Sequence, residues 1–243
     1  MTTHTLSRFI KLGLLALVLS TGPAGAAPPA GGTPVKIGII GAGHIGGTLA
    51  RLWVASGHEV LVSSRHPDQL EPLCAELGPK CRVGTPREAA AFSSVVLISV
   101  PYGALPQIGK DLKAELAGKV VLDTGNPYPG RDGPMADEAR KKGTGAASSA
   151  FLPGVRLVRA FNAINWNDLA KLGHRTPSLV AIPLAGDDAE ALKIAASLVR
   201  DIGFDPVIVG GLARAKDFDF GTPVYTKVMS AAELRKALKL PGK

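Results

Sequence analysis

Short apolar segments alternate with segments of helical periodicity along the chain from residue 35 onward. The apolar segments are too short for helices and are bounded by turn-forming residues. They predict strands at residues 35–40, 59–63, 81–83, 95–100, 120–122, 155–160, 178–184 and 207–209. Helical patterns follow the first strand and recur at 67–77, 87–92, 105–116, 187–202, near Leu212 and at 231–238. This alternation predicts an α/β fold of the doubly wound, Rossmann type, with a mostly parallel sheet and a short C-terminal helical extension.

Two of these segments carry further expectations about the sheet. Residues 95–100 are apolar on both faces, which predicts a central strand covered by helices on each side. The segment at 178–184 contains Pro183, which has no backbone N–H to donate. We therefore do not expect that segment deep in the hydrogen-bonded ladder.

A glycine turn connects the first strand to the first helix. It contains Gly41, Ala42, Gly43, His44, Ile45 and Gly46. Gly41 would allow the tight turn, Gly43 would let backbone amides approach a pyrophosphate, and Gly46 would let the helix pack closely on its strand. The pyrophosphate would lie at the positive end of the helix dipole. The turn therefore predicts a dinucleotide site, and the alternative is a glycine-rich turn that binds nothing.

The end of the second strand indicates which dinucleotide binds. An acidic residue there would bond the ribose 2′-hydroxyl of NAD, but this chain has Ser63, Ser64 and Arg65 instead. Two hydroxyls and a guanidinium suit a 2′-phosphate, because a guanidinium bonds phosphate through two N–H groups. The sequence therefore favours NADP(H) over NAD(H). The alternative for Arg65 is an exposed charge without a ligand.

The first 26 residues are typical of a secretory signal peptide. Arg8 and Lys11 precede an apolar run at 12–19, and small residues follow up to Ala26. The run is too short for a stable membrane span. We expect a signal peptide at 1–26, a flexible leader at 27–34 and one NAD(P)-binding domain with a small C-terminal part at 35–243. This predicts export to the periplasm, or a cytoplasmic protein if the start site is misassigned.

Composition narrows the classes of partner. The formal charge of +8 is scattered along the chain, and aromatic residues make up 5%, so a nucleic-acid surface is not expected. Cys74 and Cys81 are the only cysteines; they could form one disulfide in an exported protein, and they do not make a metal site. We expect no metal, no nucleic acid and no stable membrane span after signal cleavage. A homodimer remains possible.

The chain resembles the NADPH-dependent coenzyme F-420 reductases, the deazaflavin-dependent NADP oxidoreductases, which are related to the oxidoreductase domain of the STEAP proteins. The resemblance extends over nearly all of residues 35–219. Its motifs lie at 39–46, 63–65, 99–101, 123–127, 160–162, 185–188 and 203–206. Each motif alone is weak, but together they are specific to this family.

The resemblance implies roles for individual residues. Ser64 and Arg65 would hold the 2′-phosphate, and Gln69 stands near the place where the family often has a further basic residue. The remaining site residues would be Val100 and Pro101 on the nicotinamide side, and Asn126, Pro127, Ala160, Phe161 and Asn162 beside the second substrate.

Hydride transfer to a deazaflavin or flavin needs two rings held together and little proton transfer from side chains. We therefore expect positioning only and name no catalytic side chain. His44, His58 and His174 are interpreted as solvated or capping residues, and Asp123 as a residue that fixes its own loop. The predicted activity is hydride transfer between NADP(H) and coenzyme F-420 or a flavin, FMN or FAD, as small-molecule acceptor. The alternatives are an NADP-binding sensor or interaction module without turnover, and a ferric or flavin reductase that uses free flavin.

Overall fold

A computed structural model describes residues 1–2 and 33–241 of the protein. The predicted signal peptide, apart from its first two residues, and most of the predicted leader lie outside this described part. No helix in the described part is long and apolar enough to cross a bilayer.

The described strands form one eight-stranded sheet. They are β1 (Lys36–Ile40), β2 (Glu59–Ser63), β3 (Cys81–Gly84), β4 (Val95–Ile98), β5 (Val120–Asp123), β6 (Arg156–Arg159), β7 (Ala181–Gly186) and β8 (Asp205–Gly210). Their order is β3-β2-β1-β4-β5-β6-β7-β8, and every neighbouring pair is parallel except β6 and β7. The predicted fold is therefore confirmed.

The α-helices of the described part cover both faces of this sheet. They are α1 (His44–Ala55), α2 (Glu71–Leu77), α3 (Pro86–Phe92), α4 (Leu105–Asp111), α5 (Lys113–Leu116), α6 (Pro129–Asp132), α7 (Pro134–Lys142), α8 (Thr144–Phe151), α9 (Trp166–Lys171), α10 (Ala189–Asp201) and α11 (Ala231–Ala237). Turns of 3-10 helix lie at Pro67–Leu70, Gly78–Lys80, Tyr102–Ala104 and Leu212–Asp217.

The structure differs from the predicted helices in several places. The single helix expected at 105–116 is divided at Leu112, which lies between α4 and α5. The helix expected at 67–77 begins as a 3-10 turn and becomes α-helical at Glu71. The crossover from β5 to β6 contains three helices, α6 to α8, and α9 follows β6. None of these four lies in the residue ranges given above for helical patterns.

The core is divided into two layers by the sheet, as the pattern of residues 95–100 predicted. Val95 and Leu97 of β4 join the hydrophobic cluster under α1, α2 and α10. Val96 and Ile98 join the opposite cluster under α3, α4 and α8. A third cluster packs β7 and β8 against the C-terminal segment. Each face of the central strand is therefore buried, as expected for a doubly wound sheet.

Pro183 lies in the middle of β7, inside the eight-stranded sheet. The ladder between β6 and β7 pairs only Ala185 and Gly186 of β7, however. Pro183 lies beyond this short ladder but is paired with Val207 in the parallel ladder to β8, so the expectation that this segment avoids the ladder is wrong. The missing N–H is tolerated because no ladder to β6 is formed at this position.

Cys74, Cys81 and His58 have structural roles. Cys74 on α2 and Cys81 at the start of β3 form a disulfide. His58 is buried rather than solvated, and its Nδ1 accepts a hydrogen bond of 3.1 Å from the backbone N–H of Val35. Burial lowers the pKa of His58, although Asp201 opposes the shift. His174, in contrast, is exposed.

Candidate functional site

A cleft of about 690 Å³ opens at the carboxyl ends of the strands, where the strand order reverses between β1 and β4. Doubly wound sheets place their ligands at this point. The glycine turn, the ends of β1, β2 and β4, the loop after β3, and α4 form its walls. Seven of the predicted cofactor residues line it: Gly41, Ala42, Gly43, Ser64, Arg65, Val100 and Pro101.

The three glycines of the turn have the geometry that their predicted roles require. Gly41 has a φ of +94°, in the left-handed region, and a Cβ there would lie 2.3 Å from the carbonyl oxygen of Ser99. A Cβ at Gly46 would lie 2.0 Å from the carbonyl oxygen of Gly41, so α1 packs tightly on the turn. A Cβ at Gly43 would meet no atom within 4 Å. Gly43 therefore presents an open face to the cleft.

The three residues at the end of β2 are placed differently from one another. Ser63 is fully buried, and its hydroxyl donates to the carbonyl oxygen of Ile39 at 2.9 Å. Ser64 lines the cleft, and its Oγ accepts a 3.0 Å hydrogen bond from the N–H of His66. Arg65 lines the cleft, is exposed, and has no partner among the described residues. Ser64 and Arg65 are thus available to a ligand, whereas the side chain of Ser63 is engaged within the fold.

The sequence reasoning missed the opposite wall of the cleft. Thr85, in the loop after β3, and Pro86 and Arg87, the first residues of α3, line it. Thr85 and Glu88 form a capping box at the start of α3, which is a recognisable sequence signal for a helix start. That signal locates the helix but not the cleft, because the position of this loop depends on β3 lying next to β2.

Side chains from α4 complete this wall. Ala104, just before the helix, lines the cleft together with Gln107, Ile108, Asp111 and Leu112. Asp111 is the one carboxylate among the lining residues of the described part, and its Oδ1 accepts a 2.7 Å hydrogen bond from Gln107. It belongs to α4 and not to the end of β2, where an acidic residue would select NAD.

His44 and Ile45 follow the turn but do not line the cleft. The imidazole of His44 is exposed and stacks on the indole of Trp166, with ring centroids 4.5 Å apart and planes 19° apart. Ile45 packs against the core. The contribution of these two residues to a bound pyrophosphate would come from their backbone amides.

The residues predicted beside the second substrate are brought together but are buried. Asn126 donates through Nδ2 to the carbonyl oxygen of Asn162 at 2.8 Å. The side chain of Phe161 packs edge-on against Trp53, with ring centroids 6.1 Å apart. Pro127 and Ala160 are buried as well. None of these five residues lines the cleft, so their role beside a substrate stays a prediction.

A buried ion cluster lies beneath these residues. Arg159 is fully buried; its Nη1 donates to Asp123 Oδ2 at 2.5 Å, and its Nη2 lies 3.4 Å from Asp219 Oδ1 and donates to the carbonyl oxygen of Gly125 at 2.6 Å. Burial disfavours the charged guanidinium, but the two carboxylates outweigh burial and raise the pKa of Arg159. Burial also raises the pKa of Asp219, and Arg159 only partly opposes this shift.

This cluster shows what Asp123 does. Its Oδ1 accepts a 2.8 Å hydrogen bond from the N–H of Gly125, as expected for a residue that fixes its own loop. The sequence reasoning did not anticipate that Arg159 and Asp219 would join it. An arginine at the end of an apolar strand was the one local sign of a buried charge.

The described residues contain no group of three or more His, Cys, Asp and Glu side chains that could hold a metal ion. The cleft itself offers backbone amides, the side chains of Ser64 and Arg65 at the end of β2, the polar side chains of Thr85, Arg87, Gln107 and Asp111, and apolar walls.

Comparisons with known proteins agree with this geometry. Residues 36–127 match the family described as NADP oxidoreductase coenzyme F420-dependent. The chain is 29% identical over 189 residues to metalloreductase STEAP3 of Rattus norvegicus, covering 76% of this chain and 36% of that protein. It is 25% identical over 203 residues to the F420-dependent NADP reductase of Methanocaldococcus jannaschii, covering 78% of this chain and 90% of that protein.

A hypothetical protein of Sinorhizobium meliloti has a similar solved structure, with a TM-score of 0.72, 24% identity, and coverage of 82% of this chain and 96% of that one. This likeness supports the fold. The resemblance predicted from the motifs is confirmed, and the family match extends from β1 to the loop after β5. The chain spans little more than a third of the STEAP3 protein but nearly all of the archaeal reductase.

Proposed function

We propose that this chain, a relative of the coenzyme F420-dependent NADP oxidoreductases, is an NADP(H)-dependent oxidoreductase that transfers hydride between the nicotinamide and a deazaflavin or flavin acceptor. One observation carries the proposal. The glycine turn, the pair Ser64 and Arg65, and the pair Val100 and Pro101 all open onto one cleft. These are the places where a dinucleotide needs its pyrophosphate, ribose phosphate and nicotinamide contacts.

The glycine turn and the end of β2 leave room and binding groups for the phosphates of NADP(H). The open face at Gly43 leaves room for a pyrophosphate beside the first amides of α1, where the helix dipole favours an anion. Arg65 is free to pair with a 2′-phosphate through two N–H groups, and Ser64 retains a hydroxyl proton to donate. Asp111, the one acidic side chain among the cleft-lining residues of the described part, belongs to α4 and not to the end of β2.

The protein's contribution to the reaction would be positioning. NADPH, when bound, supplies the hydride. The amides of the glycine turn would hold the pyrophosphate, and Val100 and Pro101 would fix one face of the nicotinamide. Asn126 and Asn162 would border the acceptor through the loop they brace, since their side chains are bonded to each other's residues. No proton-transferring side chain is required.

The cofactor assignment is tested by replacing Arg65. Arg65→Ala should weaken NADPH binding by about 10- to 100-fold, because a charge-assisted hydrogen bond contributes about 1.5–3 kcal/mol. NADH binding should change little. Arg82→Ala is the control, because Arg82 is exposed on β3 and does not line the cleft. Titration calorimetry measures both cofactors, and an equal loss for NADPH and NADH would contradict the assignment.

The acceptor is tested by turnover. Purified protein is mixed with NADPH and, in separate reactions, FMN, FAD, coenzyme F-420 or ferric citrate, and loss of the reduced nicotinamide absorbance is followed. Oxidation with the deazaflavin or a flavin supports the proposal. Oxidation that needs both free flavin and ferric iron would identify a ferric reductase. Binding of NADPH without oxidation by any acceptor would identify a sensor.

We also propose that the protein is exported to the periplasm. The basic and apolar pattern of residues 1–26 supports this, and so does the Cys74–Cys81 disulfide, because disulfides persist in oxidising compartments. Cell fractionation with a C-terminal tag tests it. Recovery of the full-length chain in the cytoplasm would contradict it.

A further inference from the structure

Two arginines line the cleft, and their surroundings differ. Arg65 follows β2 and has no partner among the described residues. Arg87 follows β3, and its Nη1 forms an ion pair with Glu115 of α5. Its Nη2 donates to the carbonyl oxygen of Asp111 at 2.8 Å. One guanidinium is therefore free, whereas the other is fixed in place and already has a carboxylate partner.

Arg65 lies in the loop after β2, and Arg87 lies in the first turn of α3, directly after the loop that follows β3. β2 and β3 pair in parallel with Ser63 opposite Gly84, so the loops after them leave the sheet side by side. Arg87 bonds to the end of α4 and to α5, so it ties the start of α3 to these helices within one wall of the cleft. The planar group is held there in one orientation, which lowers the entropy lost when a ligand packs on it.

The wall around Arg87 has an apolar part beside the polar side chains of Thr85, Gln107 and Asp111. Pro86 precedes Arg87 in the chain, and Ile108 and Leu112 line the cleft from the α4 side. Such a wall suits a flat aromatic base, and a phosphate dianion would lose hydration there without gaining a free cation. Guanidinium planes stack on aromatic rings, and nucleobases stack on arginine in the same way.

We propose that Arg87, with Pro86, Ile108 and Leu112, forms the slot that takes the adenine base of the cofactor, with the fixed guanidinium stacked on the ring. This inference rests on the proposed function. Arg65 then binds the 2′-phosphate, which only NADPH carries, and sets the preference for NADPH. Arg87 binds the adenine base, which NADPH and NADH share. The chain has Gln69 rather than a second base after Arg65, and Arg87 does not replace that missing charge.

The test compares three ligands on the full-length protein. Arg87→Ala should weaken the binding of NADPH and of NADH by the same factor, about tenfold, which is the usual effect of losing one stacking contact to a base. Binding of reduced nicotinamide mononucleotide, which has no adenine, should be unchanged. Arg87→Lys, which keeps the charge without the plane, should recover little affinity. Arg82→Ala is the matched control, because the side chains of Arg82 and Arg87 are equally exposed, at 59%.

The outcomes separate this inference from the proposed function. A loss confined to NADPH, or full recovery with Arg87→Lys, would show that Arg87 is a phosphate ligand and would overturn the slot. A loss of affinity that extends to the mononucleotide would show that the substitution disrupts the whole wall of the cleft. That outcome would also overturn the proposed adenine slot. If the wild type binds NADPH and Arg87→Ala binds equally well, this inference alone fails. If the wild type binds no dinucleotide, both fail.

Discussion

The two ends of the carboxyl edge of the sheet use their polar side chains in opposite ways. Around β1, β2 and β4 the edge is an open cleft, and Arg65 there is exposed and without a partner among the described residues. Around β5 and β6 the edge is closed, and Arg159 is fully buried between Asp123 and Asp219. Both arginines stand at or just beyond the end of a strand, but one is available to a ligand and the other is part of the core.

The closed region is completed by the C-terminal segment. Asp219 brings that segment onto Arg159, and its Oδ2 accepts a 2.5 Å hydrogen bond from Thr144. Phe220 packs edge-on against Tyr128 at 4.8 Å between ring centroids, and the hydroxyls of Tyr128 and Tyr225 lie 2.5 Å apart. Residues after the last strand therefore cover the loop after β5, where an acceptor is expected. We therefore expect cofactor binding in the open region and most of the stabilising ion pairs in the closed one.

The largest expected effect is the loss of the buried cation. Arg159→Met should lower the free energy of unfolding by about 3–5 kcal/mol, because it leaves two buried carboxylates without their partner. The control is Arg156→Met on the same strand. Arg156 pairs with Asp188, but both side chains are more than one third exposed, so its loss should be much smaller. Urea denaturation measures both, and equal losses would contradict the division into open and closed regions.

The next effect lies in the open region and separates stability from binding. Gly46→Ala should lower the free energy of unfolding by about 3 kcal/mol, because its Cβ would lie 2.0 Å from the carbonyl oxygen of Gly41. Gly43→Ala should leave stability unchanged, because its Cβ meets no atom within 4 Å. Gly43→Ala should nevertheless weaken NADPH binding about tenfold or more by crowding the pyrophosphate. Thermal melts measure the stability, and calorimetry measures the binding. Unchanged NADPH binding by Gly43→Ala would contradict binding of the pyrophosphate at this turn.

The same division explains what could be predicted from the sequence. The open region follows from two local sequence patterns, the glycine spacing at 41–46 and the adjacent pair Ser64 and Arg65. The geometry of both agrees with expectation. The closed region depends on distant pairs. Arg159 and Asp219 are 60 residues apart, and no local pattern links them. Arg87 reaches the cleft only because β3 lies beside β2, which is a property of the sheet order.

The short helices between β5 and β6 were missed for a different reason. α8 consists largely of small residues, such as Ala147 and Ser148, which give little helical periodicity. Gly133 and Gly143 separate the three helices, both with positive φ, so each helix is too short to show a repeating apolar face. The crossover could be expected from the parallel pairing of β5 and β6, but its division into three helices could not.

A third effect tests the junction between the regions through pH. Tyr102 follows Pro101 of the cleft, is fully buried, and shares a 2.9 Å hydrogen bond with the hydroxyl of Ser148. Burial, reinforced by Asp123, raises the pKa of Tyr102 to about 12 from its ordinary 10. A raised pKa means that the phenol's contribution to stability is complete below about pH 10 and is lost as pH rises toward about pH 12.

Tyr102→Phe removes this titration. The advantage in unfolding free energy of the wild type over Tyr102→Phe should narrow by about 1–2 kcal/mol between about pH 9 and about pH 11. Urea denaturation at a series of pH values measures it. A constant difference across that range would mean that the phenol stays accessible to water and that the closed region extends less far toward Pro101.

The smallest effect compares two equivalent helix caps, one in each region. Thr85 caps α3 beside the cleft, and Ser230 caps α11 in the C-terminal segment, each in a capping box with a glutamate three residues later. Replacing either by alanine should lower the free energy of unfolding by about 1 kcal/mol or less, because each loses one N-cap hydrogen bond. The two variants should therefore melt alike.

Their cofactor binding should differ. Thr85→Ala loosens the start of α3, which carries Pro86 and Arg87, so NADPH and NADH should both bind a few-fold more weakly. Ser230→Ala should bind both cofactors as the wild type does. Because the stability losses match, a difference in affinity can only come from the position of the cap, and it would place the loop after β3 in the cofactor site. Equal affinities for the two variants would instead restrict the binding surface to the glycine turn and the end of β2, and would leave Arg87 as a brace between helices.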